Sequence, residues 1–462
     1  MLFTTSSYLI FGISLFILYW LLRNKTQQNV LLLVASYVFY GWIHPWFCTL
    51  IAASTIFDYY CALAIQKYPE RKKNLLILSL IFNLGLLGFF KYFNFFADNI
   101  HAILSLMGLQ ISPLSLSIYL PVGISFYTFQ TLSYTIDVYR GKLVARKNFI
   151  DFAVFISFFP QLVAGPIERA THFLPQVERK RTFEWSNFSI AIPLFIRGYL
   201  KKLIIADSVS VYADKIFMLQ HPSMLLLVAG TIAFALQIYA DFSAYTDIAS
   251  ASAKLFGFNL MENFKTPYLA ISPSDFWRRW HISFSSWIRD YLYISLGGSR
   301  VASIWHFAFV LIVSMGLSGF WHGAAWNFVI WGIYHGVLLF AYHQLGMGGR
   351  WQPKGLLKTI LAWCAMSCFT LFGWTLFRTP NLQWLWQIFA SQSPFRSSEP
   401  VYVALLILAF TAFYAIPFVV FNLMDTRFKG KQWIHATIYG ILLAIILIYY
   451  KGSGQDFIYF QF

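Results

Sequence analysis

Two histidines stand in stretches so aromatic that little else there could do chemistry: His322 in SGFWHGAAWNF (318–328) and His281 at the close of DFWRRWH (275–281). An ionisable side chain in such surroundings either has its hydrogen bonds satisfied or performs a task. A neutral imidazole carries a nitrogen lone pair. His322 could therefore act as a general base, help typically worth roughly 10²- to 10⁴-fold in rate. Trp321, Trp326 and Phe320 are expected to bury the ring. Packing is the competing role, because Gly319, Gly323, Ala324 and Ala325 suit tight helix contact, and His335 and His343 follow at similar depth. Neither His281 nor His322 has another histidine at metal-ligand spacing, so no metal site is expected.

The elements that must position these residues are membrane helices. Of 462 residues, 58% are hydrophobic and 11% charged, and the apolar residues fall in separate runs of roughly 18 to 22, the length that crosses a bilayer. About eleven to thirteen such segments are counted, giving an all-α polytopic membrane protein in one domain, 1–462, built around a central funnel or tunnel. The first run, 8–22, lacks a basic leader and a cleavage pattern and is read as a retained span. Cys48, Cys61, Cys364 and Cys368 have no disulfide rhythm and are read as packing residues.

A formal charge of +16 could point to nucleic acid, but the basic residues form no single stripe. They sit in short loops: 23–28, 67–73, 139–147, 178–181, 349–358 and 425–431. By the positive-inside rule these loops are cytoplasmic, and both termini then come out on the extracytoplasmic face. DFAVFISFFPQLVAGPIE (151–168) is short and broken by Pro160, Gly165 and Pro166, so it reads as a re-entrant piece buried in protein. The block 262–300 mixes aromatics with Arg278, Arg279, Arg289 and Arg300, and reads as amphipathic helices at the cytoplasmic interface, where anionic lipids would attract it.

Five ordered stretches carry a resemblance: PVGISFYTFQTLSYTIDVYRG (121–141), FISFFPQLVAGPIER (155–169), QIYADFSAYTDIA (237–249), DFWRRWHISFSSWIRDYLYISLGGSR (275–300) and GFWHGAAWNFVIWGIYHG (319–336). Together the chain resembles the membrane-bound O-acyltransferase family, in its bacterial alginate and peptidoglycan O-acetyltransferase branch. The resemblance implies that His322 matches the catalytic histidine, the base for an acceptor hydroxyl that attacks a thioester carbonyl, with Trp321 facing substrate and Asn327 or a backbone amide near Gly323 as donor to the oxyanion, and that His281 matches the second characteristic histidine. Asp207 in KKLIIADSVS resembles a functional acid of the alginate branch; capping a helix or pairing with Lys201 or Lys202 is its structural alternative.

The resemblance further implies acetyl-CoA as donor substrate, with no bound cofactor, in the bacterial inner membrane. Its phosphates would meet Arg278, Arg279, Arg289 and Lys265. The acetyl group would go to an extracytoplasmic polysaccharide such as alginate, cellulose or peptidoglycan, by way of an exported SGNH-type partner. In the tail GSGQDFIYFQF (452–462), Tyr459 is a candidate acyl carrier: twelve residues from Lys451 could reach roughly 40 Å, enough to fold back above His322. An interfacial anchor is the alternative for that tail. A lipid or protein acyltransferase of the same family, or a transporter, are the competing functions; a transporter would more naturally show a row of charged midplane residues.

Overall fold

The computed structural model describes the chain except for residues 110–111, 302, 392–400, 451–456 and 459–462. The described residues form helices without a strand, and seven helical stretches are long and apolar enough to cross a membrane. The N-terminal third begins with α1 (Ser6–Leu21), α2 (Lys25–Tyr40) and α3 (Phe47–Lys67). A long rod follows, made of α4 (Lys72–Leu87), a π-helical stretch (Gly88–Tyr92) and α5 (Phe93–Leu106). After α6 (Ile124–Tyr139) come the short α7 (Phe149–Ser157), α8 (Phe159–Leu162) and α9 (Ala170–Glu178).

The centre of the molecule is α12 (Met224–Leu255), reached through α10 (Trp185–Tyr199), a second π-helical stretch (Leu200–Ala206) and α11 (Asp207–Met218). Most of α12 is buried, and its small residues are the reason neighbours can approach: Gly198 of α10 lies so near that an added Cβ would stand 3.1 Å from the Ala244 carbonyl oxygen. The short α13 (Pro273–Trp277) and α14 (Ile282–Trp287) precede α15 (Ile304–His322) and α16 (Trp326–Gln344). Then follow α17 (Leu356–Arg378), α18 (Leu382–Ser391), α19 (Val401–Thr426) and α20 (Gln432–Tyr449).

The segment 151–168 is broken and wholly buried. Asn148 caps α7 by accepting from the Ile150 and Asp151 amides, and Pro160 opens α8, where its missing N–H costs nothing. Groups freed by the break find protein partners: Phe159 N donates to Ser36 Oγ at 3.0 Å, and Gln161 Nε2 donates to the Phe155 carbonyl at 2.7 Å. Gly123 (φ +80°) packs against the same turn, where a Cβ would lie 2.6 Å from the Leu162 carbonyl oxygen.

The block 262–300 differs from two surface helices. His281 and Thr266 both have φ of 44°, so the chain turns sharply at each, and Lys265 N–Arg279 O and Ile282 N–Asn263 O bonds of 2.9 Å tie the two turns together. The fold thereby carries Phe276, Trp280, His281 and Phe284 into the interior, while Arg279 and Arg289 stay outside.

Basic loops gather on one face. Lys25 pairs with Asp151 at 3.2 Å, Arg146 with Glu178 at 2.5 Å, and Arg140 donates to the Asp290 carbonyl at 3.0 Å. Ser6 Oγ and Tyr450 Oη lie 3.4 Å apart, so the start of α1 and the end of α20 share a face.

The hairpin of α15 and α16 is packed backbone to backbone. A Cβ on Gly319 would lie 2.1 Å from the Phe328 carbonyl oxygen, and one on Gly332 would lie 2.1 Å from that of Met315. Gly332→Ala is expected to lower stability by about 1–3 kcal/mol through overpacking, whereas Gly440→Ala on α20, with open space around it, should be neutral or stabilising. Thermal unfolding of the two purified variants in one detergent checks this, and an unchanged Gly332→Ala transition would refute the close contact.

Candidate active site

His322 is the last residue of α15 and is 5% exposed. Its ring is walled by Trp331 (centroids 5.2 Å apart), Phe377 (5.3 Å) and Phe284 (5.7 Å). The expected neighbour Trp326 is instead 53% exposed and donates to Asn99 Oδ1 at 2.9 Å. The helix stops at 322 and restarts at 326, so the aromatic residues on either side of the break point in different directions. Phe320 likewise turns from the site and stacks on Tyr92 at 4.2 Å.

Trp321 lies between the two histidines. It stacks on Phe284 at 4.3 Å and has its ring centre 6.1 Å from that of His281. His281 is 1% exposed rather than at the surface. Its Nδ1 lies 3.1 Å from Asn263 Oδ1, which also accepts from Ser283 Oγ at 2.8 Å and from the Ser283 amide at 3.3 Å. A backbone N–H can only donate, so the Asn263 oxygen is fixed as acceptor and His281 must carry its proton on Nδ1. Burial pushes the imidazole down to about 3, so it is neutral at physiological pH. The sequence singled out both histidines by type, but gave no sign that Phe284 and Trp321 would bring them close together.

Asn327 has a structural position. Its amide donates to the carbonyls of Phe377 (3.2 Å) and Thr379 (3.3 Å), fastening α16 to the end of α17. Asp207 takes the pairing anticipated as its alternative, with Lys202 Nζ at 2.9 Å. Lys202 also reaches Asp241 of α12 at 2.8 Å, and the Asp241 carboxylate accepts from the amide of Ile458. Lys202 Nζ stands 4.7 Å from the Phe457 ring centre, and Phe457 and Ile458 are each 2% exposed. Tyr459 itself lies outside the described residues. Lys202 was anticipated only as a partner of Asp207, and Asp241 was not singled out, although an acid inside an otherwise apolar span was the available signal.

A cavity of about 590 Å³ opens beside the histidines. Arg278 and Arg289 stand on its wall, as do Phe284, which touches His322, and Ser318, one turn before it on α15. Arg278 is held by Asp275 at 3.3 Å and by the Gly349 carbonyl at 2.6 Å, and Arg289 by Asp290 at 2.7 Å. Arg279 is directed elsewhere: it pairs with Asp275 at 3.0 Å and contacts Thr266 Oγ1 at 3.3 Å. Beyond the rim, Arg169 lies over Tyr291 at 4.7 Å, and Glu168 raises the His172 imidazole by hydrogen bonding to it at 2.7 Å. Among the described residues, no group of three or more His, Cys, Asp or Glu could hold a metal ion.

An all-helical membrane fold with a buried histidine at the end of a span, and a cavity that shares Phe284 with it, defines a class. The membrane-bound O-acyltransferase family model matches residues 142–347, and the chain belongs to that family. It is a multi-pass membrane protein and an O-acyltransferase. Among its relatives, the "Probable alginate O-acetylase AlgI" of Pseudomonas aeruginosa is 40% identical over 399 residues, 86% of this chain and 75% of the relative. The peptidoglycan O-acetyltransferase of Helicobacter pylori is 34% identical, over 80% and 74% of the two chains. The teichoic acid D-alanyltransferase of Bacillus subtilis is 28% identical, over 55% and 68%.

The linkage of Lys202 to two carboxylates sets an expectation. Lys202→Met takes the ion-pair partner from the buried Asp241 and from the half-buried Asp207 and should destabilise the protein by about 3–5 kcal/mol, whereas Lys265→Met, which breaks an exposed pair with Glu262, should cost less than about 1 kcal/mol. Unfolding midpoints of the two variants measure the difference; equal midpoints would contradict the cost assigned to the buried pair.

Proposed function

We propose that this acyltransferase takes acetyl groups from cytoplasmic acetyl-CoA and passes them across the membrane for O-acetylation of an extracytoplasmic polysaccharide. The observation that carries the reading is the cavity, which runs from Arg278 and Arg289 to Phe284 beside His322. Two arginines on its wall suit the phosphates of coenzyme A. They lie near the basic loops: Arg278 bonds Gly349, and Arg140 bonds the carbonyl of Asp290, next to Arg289. By the positive-inside rule that face is cytoplasmic, in keeping with a bacterial inner membrane and extracytoplasmic termini.

In this reading His322 is the general base. It takes a proton from the acceptor oxygen, the oxygen forms a bond to the acetyl carbon, and the coenzyme A thiolate leaves and takes up a proton. His281 and Trp321 orient the site from the Phe284 side. Tyr459 receives the acetyl group on its phenol oxygen and yields it to an exported SGNH-type transferase, which acetylates the glycan. A phenyl ester is more activated than a sugar ester, so the second transfer runs downhill. The names of the relatives, an alginate O-acetylase and a peptidoglycan O-acetyltransferase, support a glycan acceptor.

Purified protein in phospholipid vesicles should release free coenzyme A from acetyl-CoA faster than from palmitoyl-CoA. His322→Gln should reduce that release by about 10²- to 10⁴-fold, and Tyr459→Phe should abolish acetylation of the glycan in cells. Near-normal rates in His322→Gln at matched expression would return that residue to a packing role. For the donor cavity, Arg278→Ala with Arg289→Ala should raise KM for acetyl-CoA about tenfold or more with little change in kcat, while Arg279→Ala, directed away from the cavity, should change KM far less. Unaltered KM in the double variant would leave those arginines to anionic lipid.

A further inference from the structure

The rod of α4, the π-helical stretch and α5 carries a cation that the reaction scheme above does not use. Lys91 lies in an otherwise apolar run, and among the described residues no carboxylate comes within ion-pair distance of it. A charge so placed is expensive and marks function more often than packing. Its ammonium donates instead to the carbonyl oxygens of Trp321 at 2.6 Å and His322 at 3.2 Å. The next residue, Tyr92, donates its hydroxyl to the Phe320 carbonyl at 3.1 Å and stacks its ring on Phe320.

Three consecutive carbonyls at the end of α15 are therefore held by two consecutive residues of another helix. The last four carbonyls of any helix lack intrahelical partners, and a cation at that end also complements the helix dipole. The donors reach them because the rod is π-helical at Gly88–Tyr92, a local widening that recurs at functional sites. About two turns further along the rod, Asn99 accepts from Trp326 at the start of α16. The rod thus straps the α15–α16 turn on both sides of His322.

We propose that Lys91 is a positioning residue for His322. By holding the carbonyls of 321 and 322 it fixes the final turn of α15 and so the direction in which the imidazole enters the site. The inference rests on His322 being the base. A misplacement of about 1 Å in a reacting group can cost roughly 10²-fold in rate, so the effect belongs in turnover rather than donor binding.

The test uses full-length protein in phospholipid vesicles with acetyl-CoA, following release of the free thiol per folded molecule. Lys91→Met, which keeps the length and loses the donors, should lower kcat about 10- to 100-fold with KM within about twofold of wild type. Lys91→Arg, which keeps a charged donor, should recover most of the loss. Asn83→Ala, on the same rod but bonded to Asp58 rather than to α15, supplies the control for destabilisation alone. Wild-type kcat in Lys91→Met overturns the proposal, as does a loss matched by Asn83→Ala at equal loss of stability, or a loss carried by KM, which would make Lys91 a donor contact. His322→Gln run in parallel separates the two levels: full activity there, or no release by the wild type, removes the base reading and this inference with it. An inactive His322→Gln beside a fully active Lys91→Met removes the inference alone.

Discussion

Lipid offers no hydrogen bonds, so every backbone group that leaves a regular helix at membrane depth must be met by protein. That constraint explains how the broken stretches buried in this chain are built. The break between α7 and α8 is closed by Ser36 and Gln161, and the two left-handed turns at Thr266 and His281 are tied to one another through backbone bonds. The end of α15 obeys the same rule, with donors supplied by Lys91 and Tyr92. Chemistry needs an irregular place where a side chain can project into a cavity. In a bilayer such a place has to be built from at least two other elements.

Charges follow an analogous logic. Inside the protein they occur in sets with several partners: Lys202 between Asp207 and Asp241, and Asp58 with Ser79 at 2.5 Å and Asn83 at 2.7 Å. Each set joins successive helical elements, because one side chain cannot satisfy a buried charge alone. On the cavity wall the arginines also have carboxylate partners, Asp275 and Asp290, so their effective charge is lower than a count of basic residues implies.

Much of the fold was legible in the sequence because lipid imposes length and polarity on each span. The broken nature of 151–168 followed from Pro160, Gly165 and Pro166, and the all-helical class from apolar run lengths. The block 262–300 was less legible. Its alternation of arginine and aromatic residues suits a surface helix, and only the backbone at Thr266 and His281, neither a glycine, turns it inward. For the site, His322 and His281 stood out by type. Their neighbours did not: Phe377 is 55 positions along the chain from His322, and nothing in local sequence places its ring beside the imidazole. Trp326 misled for the opposite reason, since nearness in sequence is not nearness in space across a helix break.

The aromatic wall around His322 has a temporal consequence. Phe284, Trp331 and Phe377 come from α14, α16 and α17, elements made and inserted one after another. Until α17 has joined the bundle, the imidazole lacks one side of its enclosure and water can reach it. In the proposed reaction a partly inserted chain would therefore be a poor catalyst. The cavity draws its own wall from α15 and α16, so cavity and histidine enclosure mature within the same few segments of synthesis.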